Sequence, residues 1–368
     1  MGKWLKRCRF GVVTAIILVL FTSYALLDVF VIPHEYSDVG VTSNTNSTSK
    51  KNNTSSANNS GSGESGNNSN VNDGSGNNGD NGGNTDNGNG GLLGSGNGNG
   101  SGSGDDNGNN GGLLGDGRTF DEPEITDNSY RDNDIAITIS QYRVSDTDVY
   151  VADVRVSSPE YLFSAFAKDK YGRNVTETTS AIASRADAIL AVNGDYYGAR
   201  NSGYVIRNGV LYRSRGSNDE ALVMYEDGTL ATVRESDVSA EQLLNDGAVQ
   251  VWSFGPGLLT DGEITVSAGQ EVGRAMASNP RTALAYVEDN HYLFVVADGR
   301  TGDSDGLSLL ELATFLQSLG AKDAYNLDGG GSSTMVFLGK VVNNPTTNGR
   351  KVSERSVSDI VCIGYEKS

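Results

Sequence analysis

The residues best suited to chemistry in this sequence stand together in residues 325–334, Tyr-Asn-Leu-Asp-Gly-Gly-Gly-Ser-Ser-Thr. An apolar run ends in the carboxylate of Asp328, which is followed by three glycines and three hydroxyl residues. Glycine is used where a turn needs a positive φ or where a ligand must approach the main chain. A carboxylate beside bare amides and hydroxyls suits a polar substrate, although a tight turn between two strands would explain the same glycines.

Four more polar clusters stand at the ends of predicted strands. Any one of them is an ordinary turn, because Asn-Gly and Asp-Gly pairs are common in hairpin loops. Their shared position is more informative, since binding residues gather on loops that a rigid scaffold holds. The four clusters are Asn193–Gly198, Phe254–Gly257, Asn279–Thr282 and Asp298–Arg300.

Carboxylates must carry any proton transfer or nucleophilic attack, because the chain has only two histidines. His291 lies in a predicted hairpin turn and is expected to be exposed, so neither a Ser-His-Asp triad nor a histidine-based zinc site is expected. The candidate carboxylates are Asp195, Asp298 and Asp328. Two carboxylates that flank an anomeric carbon form the usual glycosidase arrangement.

Two arginines, Arg281 and Arg300, stand in the same clusters. Their planar, permanently charged guanidinium groups suit phosphate oxygens. A structural salt bridge would explain either arginine taken alone. The stretch Thr301–Gly306 resembles a calcium loop only weakly, because the glutamate expected near its end is displaced. No metal and no other cofactor is therefore expected.

Strands dominate the predicted secondary structure. Apolar residues alternate over residues 135–144 and 149–156, as in half-buried strands. Asn-Gly and Asp-Gly pairs between apolar runs predict type I′ hairpin turns, which need a positive φ at both central residues. These pairs are residues 208–209, 227–228 and 261–262.

Helices are fewer than strands. The clearest has capping-box spacing between Ser308 and Glu311. The pattern predicts an α+β fold of mostly antiparallel or mixed β-sheets with a few packing helices. The three predicted helices are residues 178–188, 238–244 and 308–319.

The N-terminal region predicts an exported protein. Basic residues within 1–9 precede an apolar run over 10–32, which is long enough to cross a bilayer as one transmembrane helix with the N-terminus in the cytoplasm. A cleavable signal peptide is the alternative, because residues 23–25 include small residues typical of a cleavage site. Residues 40–117 are rich in Asn, Gly and Ser, so they predict a disordered linker to an extracytoplasmic domain of residues 118–368.

Composition excludes several classes of function. The formal net charge of −18 argues against a nucleic-acid partner, and an anionic substrate would have to be met by a few local arginines. The only cysteines, Cys8 and Cys362, lie on opposite sides of the predicted membrane helix and cannot pair within one chain. Two cysteines are also too few for a cysteine-based metal site.

Taken together, the polar clusters resemble the phosphodiester glycosidase family. The resemblance covers about residues 186–365, and its motifs occur in the order and spacing typical of that family. Five ordered motifs are difficult to produce by chance. The matching stretches are Ala191–Tyr197, Ser253–Pro256, Asn279–Thr282, Val296–Arg300 and Asn326–Ser333.

The resemblance implies a hydrolase that cleaves a sugar–phosphate bond at the sugar carbon. Asp328 or Asp298 would attack that carbon or activate water, and Asp195 with Asn193 would bind sugar hydroxyls. Arginines would hold the phosphate, while glycine amides and hydroxyls would hold the remaining oxygens. The implied substrate-binding residues besides Asn193 are Arg281, Thr282, Arg300, Gly329, Gly330, Gly331, Ser332 and Ser333.

We therefore expect a single-pass, bacterial cell-membrane protein whose extracellular domain hydrolyses glycosyl-1-phosphodiesters of an envelope glycan or exopolysaccharide. Membrane contact would come from the N-terminal helix. Two alternatives remain open: a stalked, non-catalytic glycan-binding module, and a glycan phosphotransferase. Release of free sugar would exclude the first, and transfer to an added acceptor alcohol would favour the second.

Overall fold

The computed structural model describes residues 118–272 and 278–366, with short pieces at 19–20, 22–23, 34–35 and 41–42. Apart from those pieces, the predicted transmembrane helix over 10–32 and the predicted linker over 40–117 lie outside the described residues. No helix in the described part of the chain is long and apolar enough to cross a membrane.

Antiparallel strands are the predominant regular structure of the described chain, and all of their paired neighbours run in opposite directions. The strands of three or more residues are, in chain order, β1 (Ser129–Arg131), β2 (Ile135–Val144), β3 (Thr147–Val156), β4 (Leu162–Phe166), β5 (Leu190–Asn193), β6 (Val205–Arg207), β7 (Val210–Arg213), β8 (Glu220–Tyr225), β9 (Leu230–Arg234), β10 (Ala248–Trp252), β11 (Gly257–Thr260), β12 (Arg281–Glu288), β13 (His291–Ala297), β14 (Asp323–Asn326), β15 (Met335–Phe337) and β16 (Asp359–Ile363).

Three sheets hold these strands within the described residues. The nine-stranded sheet runs Glu263–Ile264, β11, β14, β12, β13, β3, β2, β1, Glu124–Ile125. The six-stranded sheet runs β9, β8, β10, β6, β7, Val41–Thr42. The five-stranded sheet runs Lys340–Val341, β15, β5, β16, β4. Two further pairs join Ser356–Val357 to Glu177–Thr178 and His34–Glu35 to Gly172–Arg173.

The main core lies between the nine-stranded sheet and the two smaller sheets. Side chains alternate along β13, so that Tyr292, Phe294 and Val296 face this core while Leu293 and Val295 face the opposite side. This alternation follows from the two-residue period of a strand. The layers of sheet on sheet, with helices outside, give the α+β architecture that the sequence predicted.

Three α-helices among the described residues between 118 and 366 cover the outer faces of the sheets. They are α1 (Thr179–Ala186), α2 (Ala240–Asn245) and α3 (Leu309–Ser318). The predicted capping box of α3 is confirmed, because the Ser308 side chain accepts from Glu311 N and the Glu311 side chain accepts from Ser308 N. The other two helices begin one or two residues later than predicted, after the side-chain caps Thr178 and Ser239.

Two local predictions are wrong. The turn at 227–228 has a positive φ only at Gly228, because Asp227 instead accepts a hydrogen bond from Thr229 N at 3.0 Å. His291 is not exposed in a turn; it is the first residue of β13 and is buried. Its Nε2 lies 3.0 Å from Asp153 Oδ1 on the neighbouring strand β3. The turns at 208–209 and 261–262 have a positive φ at both residues, as predicted.

Candidate active site

Asn193, at the end of β5, joins the loop from Asp328 to Thr334 to the start of β12. Its Nδ2 donates to the Asp328 carbonyl at 2.6 Å, and its Oδ1 accepts from Thr282 Oγ1 at 2.8 Å and from Thr334 N at 3.2 Å. Asn193 and Thr282 are fully buried. Their polar atoms are therefore hydrogen-bonded to other protein groups. Such residues position a site.

The loop from Asp328 to Thr334 is fixed by backbone hydrogen bonds to two other clusters. Asp328 N donates to the Gly194 carbonyl at 3.2 Å, and Gly330 N donates to the Pro280 carbonyl at 2.8 Å. A Cβ at Gly329 would lie 2.8 Å from that same Pro280 oxygen, and Gly330 has a φ of +62°. Glycine is required here because the main chains approach too closely for a side chain.

Two arginines lie against the glycines of this loop. A Cβ at Gly330 would lie 2.9 Å from Arg300 Nη2, and a Cβ at Gly331 would lie 2.7 Å from Arg355 Nη2. Arg300 is fixed by Thr347 O at 2.7 Å and Asn279 Oδ1 at 2.9 Å. Within the described residues, the Arg355 guanidinium has no hydrogen bond or ion pair. Arg355 was missed by the sequence analysis, because no motif distinguishes it within a polar stretch.

The carboxyl group of Asp328 is buried at the centre of this arrangement. Burial raises the pKa of Asp328 to about 6, against the opposing influence of Ser332 and of the positive charges of Arg355 and Arg200. Ser332 Oγ lies close enough to lower the pKa of Asp328 but does not form a hydrogen bond of normal geometry with it. Neither Ser332 Oγ nor Asp328 Oδ2 has a hydrogen-bond partner in the described part of the chain. The site thus holds a carboxyl with uncommitted oxygen lone pairs.

Several polar atoms near the Asp328 carboxyl are also buried without a hydrogen-bond partner among the described residues. Buried polar groups in proteins are nearly always hydrogen-bonded, so a group of unpaired ones indicates capacity for a polar ligand. The buried side-chain atoms of this loop and of β14 that lack a partner among the described residues are Asp328 Oδ2, Ser332 Oγ, Ser333 Oγ, Thr334 Oγ1 and Asn326 Oδ1.

Asp298, in contrast, has both carboxylate oxygens engaged. Oδ1 accepts from Asn343 Nδ2 at 2.9 Å and from Asn344 N at 3.0 Å, and Oδ2 accepts from Asn344 Nδ2 at 3.1 Å. Asn343 Nδ2 also donates to the Ser333 carbonyl at 3.1 Å. Burial raises the pKa of Asp298, while the two asparagines lower it. Asp298 therefore holds a loop that in turn supports the hydroxyl residues.

Asp195 belongs to a buried ion-pair network. Arg207 Nη2 lies 2.9 Å from Asp195 Oδ2 and 2.8 Å from Asp359 Oδ2. Asp195 also accepts from Tyr197 N at 3.1 Å and from Ser253 N at 2.8 Å. Burial raises the pKa of Asp359, and Arg207 opposes that rise. The sequence analysis did not identify Arg207 or Asp359, which are separated by 152 positions and meet only in the fold.

Arg281 is also paired. Its Nε donates to the Leu307 carbonyl at 2.9 Å, and its Nη2 lies 2.9 Å from Glu271 Oε2. Burial lowers the pKa of Arg281, and the charge of Arg300 contributes in the same direction. The two predicted arginines are thus neighbours, and the Arg300 guanidinium lies against Gly330 of the glycine loop.

All five predicted clusters meet in this region. Asn193, Thr282 and the Asp328 loop are directly bonded, Asp298 reaches Ser333 through Asn343, and Asn326 Nδ2 donates to the Gly255 carbonyl at 2.8 Å. Among the residues described, no group of three or more His, Cys, Asp or Glu side chains could hold a metal ion.

A model of a known family matches this part of the chain. Residues 186–364 match the family described as phosphodiester glycosidase. The human N-acetylglucosamine-1-phosphodiester alpha-N-acetylglucosaminidase is 30% identical over 208 residues, which are 50% of this chain and 39% of the human one. An uncharacterized protein of the SPbeta prophage of Bacillus subtilis, YomE, is 30% identical over 203 residues, which are 53% of this chain and 31% of that one.

A solved structure supports the same relationship at the level of the fold. The catalytic domain of the zebrafish N-acetylglucosamine-1-phosphodiester alpha-N-acetylglucosaminidase, auto-inhibited by its pro-peptide, has a TM-score of 0.52 and 23% identity over 63% of this chain and 83% of that one. Residues 186–364, just under half of the chain, therefore match the phosphodiester glycosidase family, a class of hydrolases. It spans less than two fifths of the length of these curated relatives.

Proposed function

We propose that this protein hydrolyses the bond between the anomeric carbon of a sugar and a phosphate oxygen in glycosyl-1-phosphodiesters. The observation that carries the proposal is the juxtaposition of the buried Asp328 carboxyl with the unpaired Arg355 guanidinium. A carboxylate and a cation at one buried loop suit a reaction in which a carbon centre is attacked and an anionic group departs. The family match supports the same reaction class.

Asp328 is the carboxylate that we assign to the chemistry, because the oxygens of Asp195 and Asp298 are engaged by protein groups. Asp328 accepts a proton from a water molecule while the water oxygen bonds to the anomeric carbon. The bond from that carbon to the phosphate oxygen breaks, and its electron pair departs with a phosphate monoester. This leaving group is already anionic and needs little help from a general acid.

Arg355 and Arg300 are assigned to the phosphate. Both guanidinium groups lie against consecutive glycines, so a phosphate at this loop meets two cations. The unpaired hydroxyls of Ser332 and Ser333 supply further hydrogen bonds. We assign Asn193, Thr282, Asp195, Asp298 and Arg281 to positioning rather than to direct substrate contact.

The proposal is tested with the methyl phosphodiester of N-acetylglucosamine 1-phosphate in water labelled with ¹⁸O. Cleavage at the anomeric carbon puts the label into the sugar, whereas cleavage at phosphorus puts it into the phosphate. Asp328→Asn should lower kcat by about 10²–10⁴, and Arg355→Ala should lower kcat/KM by about 10²–10³. Arg155→Ala, which removes an exposed arginine paired with Glu288 at the opposite end of β12 from Arg281, is the control.

Label in the phosphate would exclude a glycosidase. Unchanged turnover in both Asp328→Asn and Arg355→Ala would exclude the assigned roles. Binding of the diester without any released sugar would favour the non-catalytic module instead. Adding ethanol as an acceptor separates hydrolysis from phosphotransfer, because a phosphotransferase would release methanol and form the ethyl phosphodiester of N-acetylglucosamine 1-phosphate.

We further propose that residues 118–368 form the catalytic domain of an envelope-directed protein, held at the cell membrane by residues 10–32 through a linker over 40–117. The support is the apolar run behind basic residues and the Asn/Gly/Ser-rich composition of the linker. Protease added to intact cells should remove the domain and leave a membrane-embedded N-terminal fragment. Recovery of the intact chain from the soluble cell interior would contradict this placement.

A further inference from the structure

Two strand edges, joined by two tyrosine rings, form one continuous surface. The first edge is the short strand Gly172–Arg173, and the second is β7, the last strand of the six-stranded sheet before Val41–Thr42. The rings of Tyr171 and Tyr212 connect the two edges, because their centroids are 5.0 Å apart. The two edges and the two rings together are called the docking surface below.

The docking surface is joined to the candidate active site. The Tyr171 ring stacks on the Tyr197 ring at 5.2 Å between centroids, and Asn174 N donates to the Gly198 carbonyl at 3.1 Å. Tyr197 N in turn donates to Asp195 Oδ1 at 3.1 Å. A segment bound at the docking surface is therefore bound to the part of the domain that contains the site.

The β7 edge is well suited to receive another strand. An edge strand presents unpaired N–H and C=O groups, and natural proteins cover such an edge or protect it with charged residues and prolines. β7 has the sequence Val-Leu-Tyr-Arg, so only its last residue carries a charge. Main-chain hydrogen bonds to an added strand are a common way of binding an extended segment.

The occupant of the docking surface is the chain's own N-terminal region. Val41–Thr42 pairs antiparallel with Val210–Leu211 of β7, and His34–Glu35 pairs antiparallel with Gly172–Arg173. Residues 35 and 41 are six positions apart, a distance of at most about 20 Å in an extended chain. The contact between the two tyrosine rings places the two edges within that reach.

This pairing changes which part of the chain connects the domain to the predicted membrane helix. Residues 43–117 begin and end on the same domain, because Phe120 N donates to Asn133 Oδ1 at 2.9 Å just after them. The predicted helix ends at residue 32, two positions before His34, so the connection spans at most about 7 Å. A Gly-rich chain from residue 33 to 117 would instead reach about 50 Å.

We propose that residues 34–35 and 41–42 are a built-in docking strand, which holds the domain at the membrane surface rather than at the end of a long tether. The docking is independent of the proposed hydrolysis, whereas the distance to the membrane rests on the proposed placement of residues 10–32 in the bilayer. None of the four residues that pair with the docking strand belongs to the five polar clusters. Proteolysis between residues 43 and 117 still frees the domain, because pairings this short hold only within one chain.

Cross-strand disulfides test the docking in the full-length chain. Cys8→Ser leaves the buried Cys362 as the only native cysteine. In that background, Thr42→Cys with Val210→Cys places thiols on directly opposed residues, whose Cβ atoms suit a disulfide. The matched control is Thr42→Cys with Arg234→Cys, an exposed position on β9 at the other edge of the same sheet.

The first pair should form a disulfide about tenfold faster or more than the control pair, because docking raises the local concentration of the opposed thiols. Each rate is divided by the reaction rate of the same thiols with a small disulfide, which removes differences in intrinsic reactivity. Equal corrected rates would overturn the docking, because an undocked N-terminal region reaches both edges of the sheet alike.

A second variant tests the docking without new cysteines. Val41→Pro with Thr42→Pro removes two main-chain N–H groups and prevents pairing with β7. Hydrogen exchange of the β7 amides that face the docking strand should then quicken about fivefold or more, with exchange in β13 unchanged. Unchanged exchange in β7 would overturn the docking, because it would mean that residues 41–42 do not cover that edge.

Energy transfer to labelled lipid headgroups tests the distance to the membrane. The full-length Cys8→Ser chain is placed in phosphatidylcholine vesicles, with a donor dye at one of two exposed positions, Glu263→Cys or Lys340→Cys. The mean transfer from the two positions should fall by about half or more in the double-proline variant, whose domain moves out to the reach of the linker. Equal transfer in both proteins would overturn the holding role.

The outcomes separate this inference from the two proposals above. Failure of the chain to insert into vesicles would refute the membrane placement, while the disulfide rates still decide the docking. The disulfide-locked variant should cleave the methyl phosphodiester of N-acetylglucosamine 1-phosphate with the wild-type kcat/KM. Activity that is lost in the locked variant and restored by a reductant would show a blocking segment and overturn the holding role. A wild type without activity would refute the hydrolysis alone.

Discussion

Replacing Asp328 by asparagine is expected to stabilise the protein above pH 7 while removing its activity. Burial raises the pKa of Asp328 from 3.8 to about 6 in the folded protein. One pKa unit corresponds to about 1.4 kcal/mol. Once Asp328 is fully ionised, its burial therefore lowers the free energy of unfolding by about 3 kcal/mol relative to the neutral acid.

The sign follows from which state binds the proton more tightly. Because the folded pKa lies above the unfolded value, the folded state holds the proton over the range from about pH 4 to pH 6. The associated stability is fully present below about pH 4 and is lost as the pH rises through about 6. Asparagine cannot ionise, so the variant lacks this loss. For a domain of this size, 3 kcal/mol corresponds to about 6–12 °C in Tm.

The assay is urea unfolding of the wild type and of Asp328→Asn at five pH values between 4 and 8. The variant's advantage should grow by about 3 kcal/mol between pH 4 and pH 8. The informative quantity is how much the difference in unfolding free energy between variant and wild type grows with pH. A difference that is constant with pH reflects only how the asparagine amide packs. Parallel curves for Asp328→Asn would refute the burial of an ionised Asp328. The kcat/KM of the wild type should fall below about pH 6, because protonation of Asp328 removes the base.

Three further outcomes follow from the packing around the site. Arg207→Met leaves two buried carboxylates unpaired and should lower the free energy of unfolding by about 3–5 kcal/mol in denaturant titrations. A loss below about 1 kcal/mol would contradict a stabilising role of the buried ion pairs. Gly331→Ala places a methyl group 2.7 Å from Arg355 Nη2, so KM for a glycosyl-1-phosphodiester should rise about fivefold or more, and an unchanged KM would argue against phosphate binding by Arg355. Ser308→Ala removes the cap of α3 and should cost about 1 kcal/mol of stability with kcat unaltered, whereas a fall in kcat would assign α3 a role in the site.

The sequence predicted the fold class and the meeting of the polar clusters because both depend on local signals. Alternating apolar residues mark strands, and the capping box of Ser308 and Glu311 marks a helix start. The glycines after Asp328 mark a place where main chains approach closely. These properties belong to short stretches, so a single sequence carries them.

Roles within the site were less predictable, because they depend on partners far along the chain. Asn193 and Thr282 have the side chains of substrate-binding residues, yet they bond to each other across 89 positions. Arg207 ends an ordinary hairpin strand in the sequence, and only the fold brings two carboxylates to it. Arg355 lies in a polar stretch without a motif. Residue type and position at a strand end do not distinguish a group that meets substrate from one that meets protein.

The stretch that matches the family is not self-sufficient as a folded unit. β13 pairs along its length with β3, and β16 pairs with β4, but both partner strands precede residue 186. A fragment that begins where the similarity begins would present two unpaired strand edges and an uncovered apolar sheet face to solvent, both of which promote aggregation. Recombinant production should therefore start upstream of Glu124, so that the fragment keeps β3 and β4, which pair with the matched stretch.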